Sequence, residues 1–396
     1  MVRVEATDDA ATLLADGGTW DRLAGGCPLR ETAWLGHWWR HLGRQDGALI
    51  LVATDPGGQI VGLLPLVRDG GGGRNRTLRN WGHGAVCTDH VSPLVAPDNA
   101  QGIAHAIGHH LGRLAGSRHQ GWDHLEIDGI TEGDAAATAL AAGLRDAGIT
   151  LHAHSRMHTW YRPCQASWDA CLETFSRNTR SRFRRLLRRC DAGGDLTLRL
   201  AENETEFRRD LDHTVSLHQA RWNAEGLPGA FADDAVRRFF TAAALDRFRH
   251  GRFCLLTLWR DDRPIAGSLN LLGADRRVYL YNTGMDPDER ASEPGILLNV
   301  ALLRHAHRHP YEGVDYLRGD EPYKARLRAA PRRQIVLRGT GPRWLARCRH
   351  ALWLSEFGIK QAVRRGQGRA AVAVVNPIAP SGTPIVPPAA MRPADV

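Results

Sequence analysis

Lysine is almost missing from this chain. Of its 52 basic residues only Lys324 and Lys360 are lysines, and the rest are Arg. Arg is a planar, permanently charged fork, whereas Lys is a compact ammonium on a thin stem. Where any positive charge serves, composition has drifted to Arg, so a Lys kept in the polar run EGVDYLRGDEPYK (312–324) marks that run as a place to look for chemistry. Long apolar runs are missing too, and no stretch approaches the roughly 20 residues of a membrane span. The N-terminal MVRVEATDDA has an acidic run without an apolar core and is not expected to be a secretory signal. Paired cysteines are absent. The seven Cys (27, 87, 164, 171, 190, 254 and 348) are scattered and contain no C-x-x-C, which argues against a disulfide framework or zinc finger. Reduced thiols and a cytoplasmic location are expected.

What is present is enough for two domains and a tail: 396 residues, 43% hydrophobic and 24% charged. The net charge of +9 is unevenly placed. Residues 341–396 hold eight basic residues and two acids, so the first 340 residues carry only +3. Within them SRNTRSRFRRLLRRC (176–190) has seven Arg and no acid. Phe183, Leu186, Leu187 and Cys190 form an i, i+3, i+4, i+7 stripe along it, predicting a helix with a basic outer face. That face has three readings: solvated surface, phosphate-binding surface, or nucleic-acid contact.

One pattern occurs twice. ALILVATDPGGQIVGLLPLV (48–67) and RFCLLTLWRDDRPIAGSLNLL (252–272) both read strand, turn, strand. Later a helical stretch (101–118) leads into GWDHLEID (121–128), and another (295–309) leads into GVDYLRGD (313–320). Two copies of one α/β unit with mixed sheets and crossover helices are expected. The boundaries are placed at 1–160 and 161–340, followed by a basic helix and tail over 341–396. Helices are expected over 167–191, 204–223 and 342–365, and the Pro-, Gly- and Ala-rich 366–396 reads as disordered.

The densest chemistry lies at 281–324. SEPG precedes a long helix, with Ser292 suited to cap it and Glu293, Pro294 and Gly295 to open it. Such an N-terminus, continued by Ile296 and Leu297, suits a pyrophosphate. An acid at 293 opposes a phosphate unless it points away. The strand that follows brings Asp315, Arg318, Glu321, Tyr323 and Lys324 close together, either as a reactive cluster or as an ion-pair network capping the sheet. The histidines do not suggest a metal: His152, His154 and His158 alternate along a strand, and His305 and His309 share a helix face with no third ligand.

S-x-P-G-x-L-L on a helix, followed by D-Y-L-R-G-D-E-P-Y-K, resembles the acyltransferases associated with cellulose biosynthesis (the CelD/BcsL type, or BioF2-like acetyltransferase domain). These belong to the GNAT fold and are akin to the Fem-type aminoacyltransferases. WLGHWWRHLG (34–43), TRSRFRRLLRRC (179–190) and LHQARWNAEGLPGAF (217–231) resemble further parts of that family, and the likeness spans about 20–335. The resemblance implies an α/β fold (α+β) of tandem GNAT-like domains, each a mixed, splayed β-sheet flanked by helices. It implies an N-acyltransferase using acetyl-CoA or another acyl-CoA, an amine acceptor, and no metal. It also implies site roles: Ser292, Pro294, Gly295, Ile296 and Leu297 for the donor, Asp315 or Glu321 as base, and Tyr323 as the acid for the leaving thiolate. Lys324, Arg318, His218, Arg221, Trp222, Asp89 and His90 are the expected substrate contacts. The N-terminal half lacks the S-x-P-G and Tyr-Lys equipment and reads as the acceptor side with a degenerate donor site.

Two rivals stand beside this reading. A Fem-like transferase takes its acyl group from an aminoacyl-tRNA held by Arg180, Arg184 and Arg188; an acyl carrier protein is a further possible donor. A non-catalytic protein binding nucleic acid or a membrane surface relies instead on the Arg helix and basic tail.

Overall fold

The computed structural model describes residues 2–69, 76–117, 120–191, 194–366 and 373–374. The first half runs β1 (Arg3–Thr7), α1 (Ala10–Ala15), α2 (Gly17–Leu23), α3 (Thr32–Leu42), β2 (Ala48–Thr54), β3 (Ile60–Asp69), β4 (Thr77–Asn80), β5 (Leu94–Val95), α4 (Ala100–Leu114), β6 (His124–Thr131), α5 (Ala135–Asp146) and β7 (Thr150–Pro163). The second runs α6 (Trp168–Glu173), α7 (Arg177–Arg188), β8 (Thr197–Leu200), α8 (Glu204–Ala224), α9 (Asp234–Arg249), β9 (Phe253–Arg260), β10 (Arg263–Leu272), β11 (Arg277–Met285), α10 (Pro294–Arg308), β12 (Gly313–Arg318), α11 (Pro322–Arg326) and β13 (Ala330–Thr340). Helix α12 (Trp344–Gly366) and β14 (Ala373–Val374) follow.

Both expected hairpins are present, β2–β3 and β9–β10. So is the repeat that follows each. β4 pairs in parallel with β6 across α4, and β11 pairs in parallel with β12 across α10. A parallel pair needs such a crossover, because its strands enter from the same end. The stretch 167–191 is two helices rather than one. Ser167 caps α6 and Ser176 caps α7, each accepting the N–H three residues on. A serine at that place offers the backbone a partner and starts a new helix.

The strands form one sheet in the order β1-β2-β3-β4-β6-β13-β7-β12-β11-β10-β9-β8, with β5 on β3 and β14 on β7. The final strand of each half has crossed over: β13 lies against β6 of the first half, and β7 lies against β12 of the second. Residues 160 and 161, on either side of the expected boundary, are therefore inside β7.

Each half has its own core. In the first, α4 and α5 cover Leu49, Leu51, Leu64 and Ile127. These two helices touch backbone to backbone: a Cβ on Gly108 would lie 2.1 Å from Leu140 O, and one on Gly143 would lie 2.1 Å from His105 O. In the second, α7 and α10 cover Leu256, Leu258, Leu280 and Val314. A third cluster spans both halves. Trp34 of the Trp-rich α3 meets Phe239 of α9 edge-on at 4.9 Å, and Phe240 stacks on Tyr281 of β11 at 4.9 Å. Buried aromatic area of this kind, continuous across both halves, fixes one against the other. The stretch 366–396 read as disordered lies outside the described residues, apart from Gly366 and 373–374.

Candidate functional site

β11 and β12 are paired at only three positions, Arg277–Tyr279 against Gly313–Asp315. Past them β11 stays with β10 out to Met285, while β12 stays with β7, its partner from Gly313 onward. Both strands bulge where they part. On β11 the register against β10 steps from Leu269↔Asn282 to Asn270↔Leu280, which leaves Tyr281 as an extra residue. On β12 the register against β7 steps from Asp315↔Tyr161 to Arg318↔Thr159, and Leu317 takes φ +52°. The result is a wedge-shaped gap whose β11 wall, from Leu280 onward, has no β12 partner.

A strand that diverges loses ladder bonds, and each buried backbone group left unmade costs about 1–3 kcal/mol. Charged side chains replace those bonds here. Asp315 Oδ1 accepts Leu317 N–H at 2.9 Å. Lys324 Nζ donates to Arg318 O at 2.8 Å and Gly319 O at 3.1 Å, reaches Leu317 O at 3.3 Å, and pairs with Glu321 at 2.9 Å. Lys324 is 2% exposed, so its ammonium is committed to a nest of carbonyls. A wider planar guanidinium cannot point three donors into that nest.

The loop after β4 completes the support from the other half. Asp89, fully buried, accepts Arg318 N–H at 2.8 Å and Arg318 Nε at 2.6 Å, and also accepts Gln334 Nε2. Arg318 donates further to Thr88 O at 3.0 Å and lies 3.6 Å from Asp128. His90 Nε2 stands 3.1 Å from Asp315 Oδ2, at ion-pair distance but out of line for a hydrogen bond, and His90 Nδ1 lies 2.8 Å from Thr131 Oγ1. Burial pushes the Asp315 carboxyl up, but the neighbouring His90 ring and the Leu317 N–H outweigh it and hold the group below its ordinary value. Asp315 is 1% exposed. The structure thus pairs Asp89 with Arg318 and His90 with Asp315; Asp89, His90 and Asp315 are buried between the halves and Arg318 is partly exposed.

At the wide end of the gap α10 begins. Its cap position is Glu293, with φ +53° and no side-chain cap bond, rather than Ser292. Ser292 instead closes the preceding turn, donating to Glu289 at 2.8 Å and accepting from Arg260 at 2.6 Å. Glu293 O accepts the N–H groups of Ile296 and Leu297. Pro294 has none to give, which leaves Gly295 N–H as the first-turn donor without a backbone acceptor among the described residues. A Cβ on Gly295 would lie 2.6 Å from Met285 Sδ, so α10 sits close against the Met285 side chain at the end of β11. The Glu293 carboxylate points to α7, pairing with Arg182 and lying 3.8 Å from Arg185. Arg189 donates to Ser292 O at 3.1 Å. The basic helix therefore flanks the α10 N-terminus, a neighbour relationship that the spacing of its arginines did not reveal.

Tyr323, on α11, meets Tyr316 of the β12 bulge edge-on at 6.2 Å. Burial, then the Glu321 carboxylate, pushes its phenol up against the opposing pull of Arg221. Tyr316, fully buried, has no hydrogen-bond partner for its hydroxyl among the described residues and was not singled out from the sequence. His218 is a brace: Nδ1 donates to Thr283 O at 3.0 Å and Nε2 accepts Ala230 N–H at 3.3 Å. Burial lowers its pKa and keeps the ring neutral. Arg221 and Trp222 are half-buried on the next turn of α8, the guanidinium 5.8 Å from the Trp222 ring. No group of three His, Cys, Asp or Glu among the described residues is arranged to hold a metal ion.

Residues 177–325 match the family model of the acetyltransferase (GNAT) domain, from the first residue of α7 into α11. That span contains the gap, the α10 N-terminus, Tyr323 and Lys324. FemX shares the fold, at 12% identity and TM-score 0.57 over 81% of this chain and 95% of its own. A conserved protein of unknown function from Bacteroides thetaiotaomicron VPI-5482 does so at 12% identity and TM-score 0.53, over 85% and 100%. A tandem GNAT protein from the clavulanic acid biosynthesis pathway aligns more loosely, at 16% identity and TM-score 0.44 over 87% and 100%. No curated protein matches the chain in sequence. Over residues 177–325, therefore, the chain is similar in sequence to the acetyltransferase (GNAT) domain, and over most of its length it shares a fold with FemX.

Proposed function

We propose that the protein is an N-acyltransferase that moves an acyl group, acetyl being the simplest, from a CoA thioester to the amine of a small-molecule, sugar-like or amino-acid-like acceptor. The observation that supports this is the gap between β11 and β12, with α10 opening at the end of the same β11 strand. In this reading the thioester lies along the free edge of β11, and strand N–H groups polarise its carbonyl. The pyrophosphate takes Gly295 N–H and exchanges with Glu293 for the guanidinium groups of Arg182 and Arg185.

The amine nitrogen attacks the thioester carbon, forming C–N as C–S breaks. The surplus proton on nitrogen passes to water or to the exposed Glu321, and Tyr323 protonates the departing thiolate and is reprotonated from solvent. A phenol with a raised pKa stays protonated until that moment. Asp315, Arg318, Lys324, Asp89 and His90 are positioning residues that hold the gap open, and Arg221 and Trp222 face the acceptor. All seven Cys are free thiols, which supports a cytoplasmic setting.

A second reading, an aminoacyl-tRNA donor, is favoured by the FemX-like fold and by Arg180, Arg184 and Arg188 on α7. Thiol release from acetyl-CoA across a panel of primary amines decides between them. Amine-dependent release supports the CoA reading, whereas transfer only from charged tRNA, with a steep loss in salt, supports the second.

A further inference from the structure

Helix α12 carries two apolar stripes. Ala346, His350, Trp353 and Phe357 recur at helical spacing and seat it on the sheet. Trp353 and Phe357 lie 5.2 Å and 5.5 Å from the His152 ring of β7, and Arg338 of β13 stacks over Trp353 at 4.4 Å. Leu345, Cys348, Leu352 and Ile359 form the second stripe, on a different side of the helix, where it faces solvent. Leu352 is 71% exposed and Ile359 65%, and Trp344, 71% exposed, stands at the start of the helix. Five of the seven exposed large apolar side chains among the described residues belong to this helix, so the patch is a feature of α12 and not of the surface at large. The same segment holds Arg343, Arg347, Arg349, Lys360, Arg364 and Arg365 against one acid, Glu356.

We infer that α12 docks the protein onto a lipid surface bearing anionic headgroups. An outward apolar stripe with a tryptophan at its end, in a strongly basic helix, suits burial at the headgroup–acyl boundary. Each basic residue near an anionic surface adds attraction. No helix among the described residues is long and apolar enough to cross a membrane, so α12 lies on the surface. A second copy of the chain fits the face less well, because pairing would bring two segments of the same high positive charge together. The inference does not depend on the donor reading.

The test is flotation of the full chain with phosphatidylcholine vesicles, with and without phosphatidylglycerol, for wild type and the Leu352→Asp/Ile359→Asp double variant. Both positions are exposed, so circular dichroism and melting should match wild type. The expected result is at least about tenfold more binding to the anionic vesicles, lost in the double variant and reduced by salt. No binding to anionic vesicles, or binding that survives the double variant, overturns the proposal. So does a wild-type dimer that the double variant converts to monomer, since the stripe then belongs to a second copy.

Discussion

Asp89 and Arg318, 229 residues apart in the chain, meet in a buried contact: the carboxylate of Asp89 takes both the backbone N–H and the Nε of Arg318. This contact bolts the loop after β4 to the end of β12, where the strand leaves its parallel partner. Asp89→Asn keeps the shape and removes the charge, so the largely buried guanidinium keeps Thr88 O but has only the more distant Asp128 as a counter-charge. Losing one member of a buried pair costs about 3–5 kcal/mol. The lower end is expected, because Arg318 is partly exposed. Urea unfolding checks it, and a loss under about 1 kcal/mol would mean that the pair is not a main fastening.

Lys324→Arg is expected to damage folding before it damages binding. The nest of Leu317, Arg318 and Gly319 carbonyls accepts one compact ammonium. The variant should lose about 2 kcal/mol or more of stability, with turnover falling in parallel. A variant of wild-type stability with a raised acceptor KM would assign Lys324 to substrate instead.

Tyr323→Phe removes a proton donor from a ring that keeps its packing on Tyr316. Turnover should fall by about 100-fold, with donor affinity and melting temperature unchanged. Unaltered turnover would remove Tyr323 from the chemistry.

Glu293→Gln takes an acid away from the positive end of α10 and frees Arg182. Affinity for acetyl-CoA should rise about two- to fivefold, less in high salt, as titration calorimetry would show. Weaker binding would place the phosphates elsewhere.

Acidification should loosen the sheet beneath α12. Burial, then Arg338, pushes His124 down to about 4, against the pull of Asp123, while His350 and Arg349 lower it further. His152 and His350 are lowered as well, chiefly by burial. The folded state holds these rings neutral where the unfolded chain, with ordinary values near 6.5, binds protons. Stability is therefore full above about pH 6.5 and falls as pH drops towards about 4. Melting temperatures at stepped pH check this, and His124→Asn should flatten the slope.

Much of the fold was legible because it is local. Apolar runs broken by turns marked the β2–β3 and β9–β10 hairpins, an apolar stripe at helical spacing marked α7, and the SEPG start marked α10. The crossing of β7 and β13 was not legible, since each strand's partner lies far away in the chain and alternation does not name it. The site was legible as a list but not as an arrangement. Asp315, Arg318 and Lys324 stood out as members of one dense polar run, and Asp89 and His90 through the family resemblance. That they replace missing strand bonds depends on where β12 diverges and on the φ of Leu317, neither of which has a sequence signature. Glu293 looked hostile to a phosphate until α7 supplied Arg182 beside it.

The central claim is that the gap between β11 and β12 is the donor site, and hydrogen exchange with and without acetyl-CoA tests it most directly. The account predicts slowed exchange at Leu280–Met285 and at Gly295, with little change along the solvent face of α7. Acetyl-CoA that binds without protecting those amides, or that protects only α7, would contradict it.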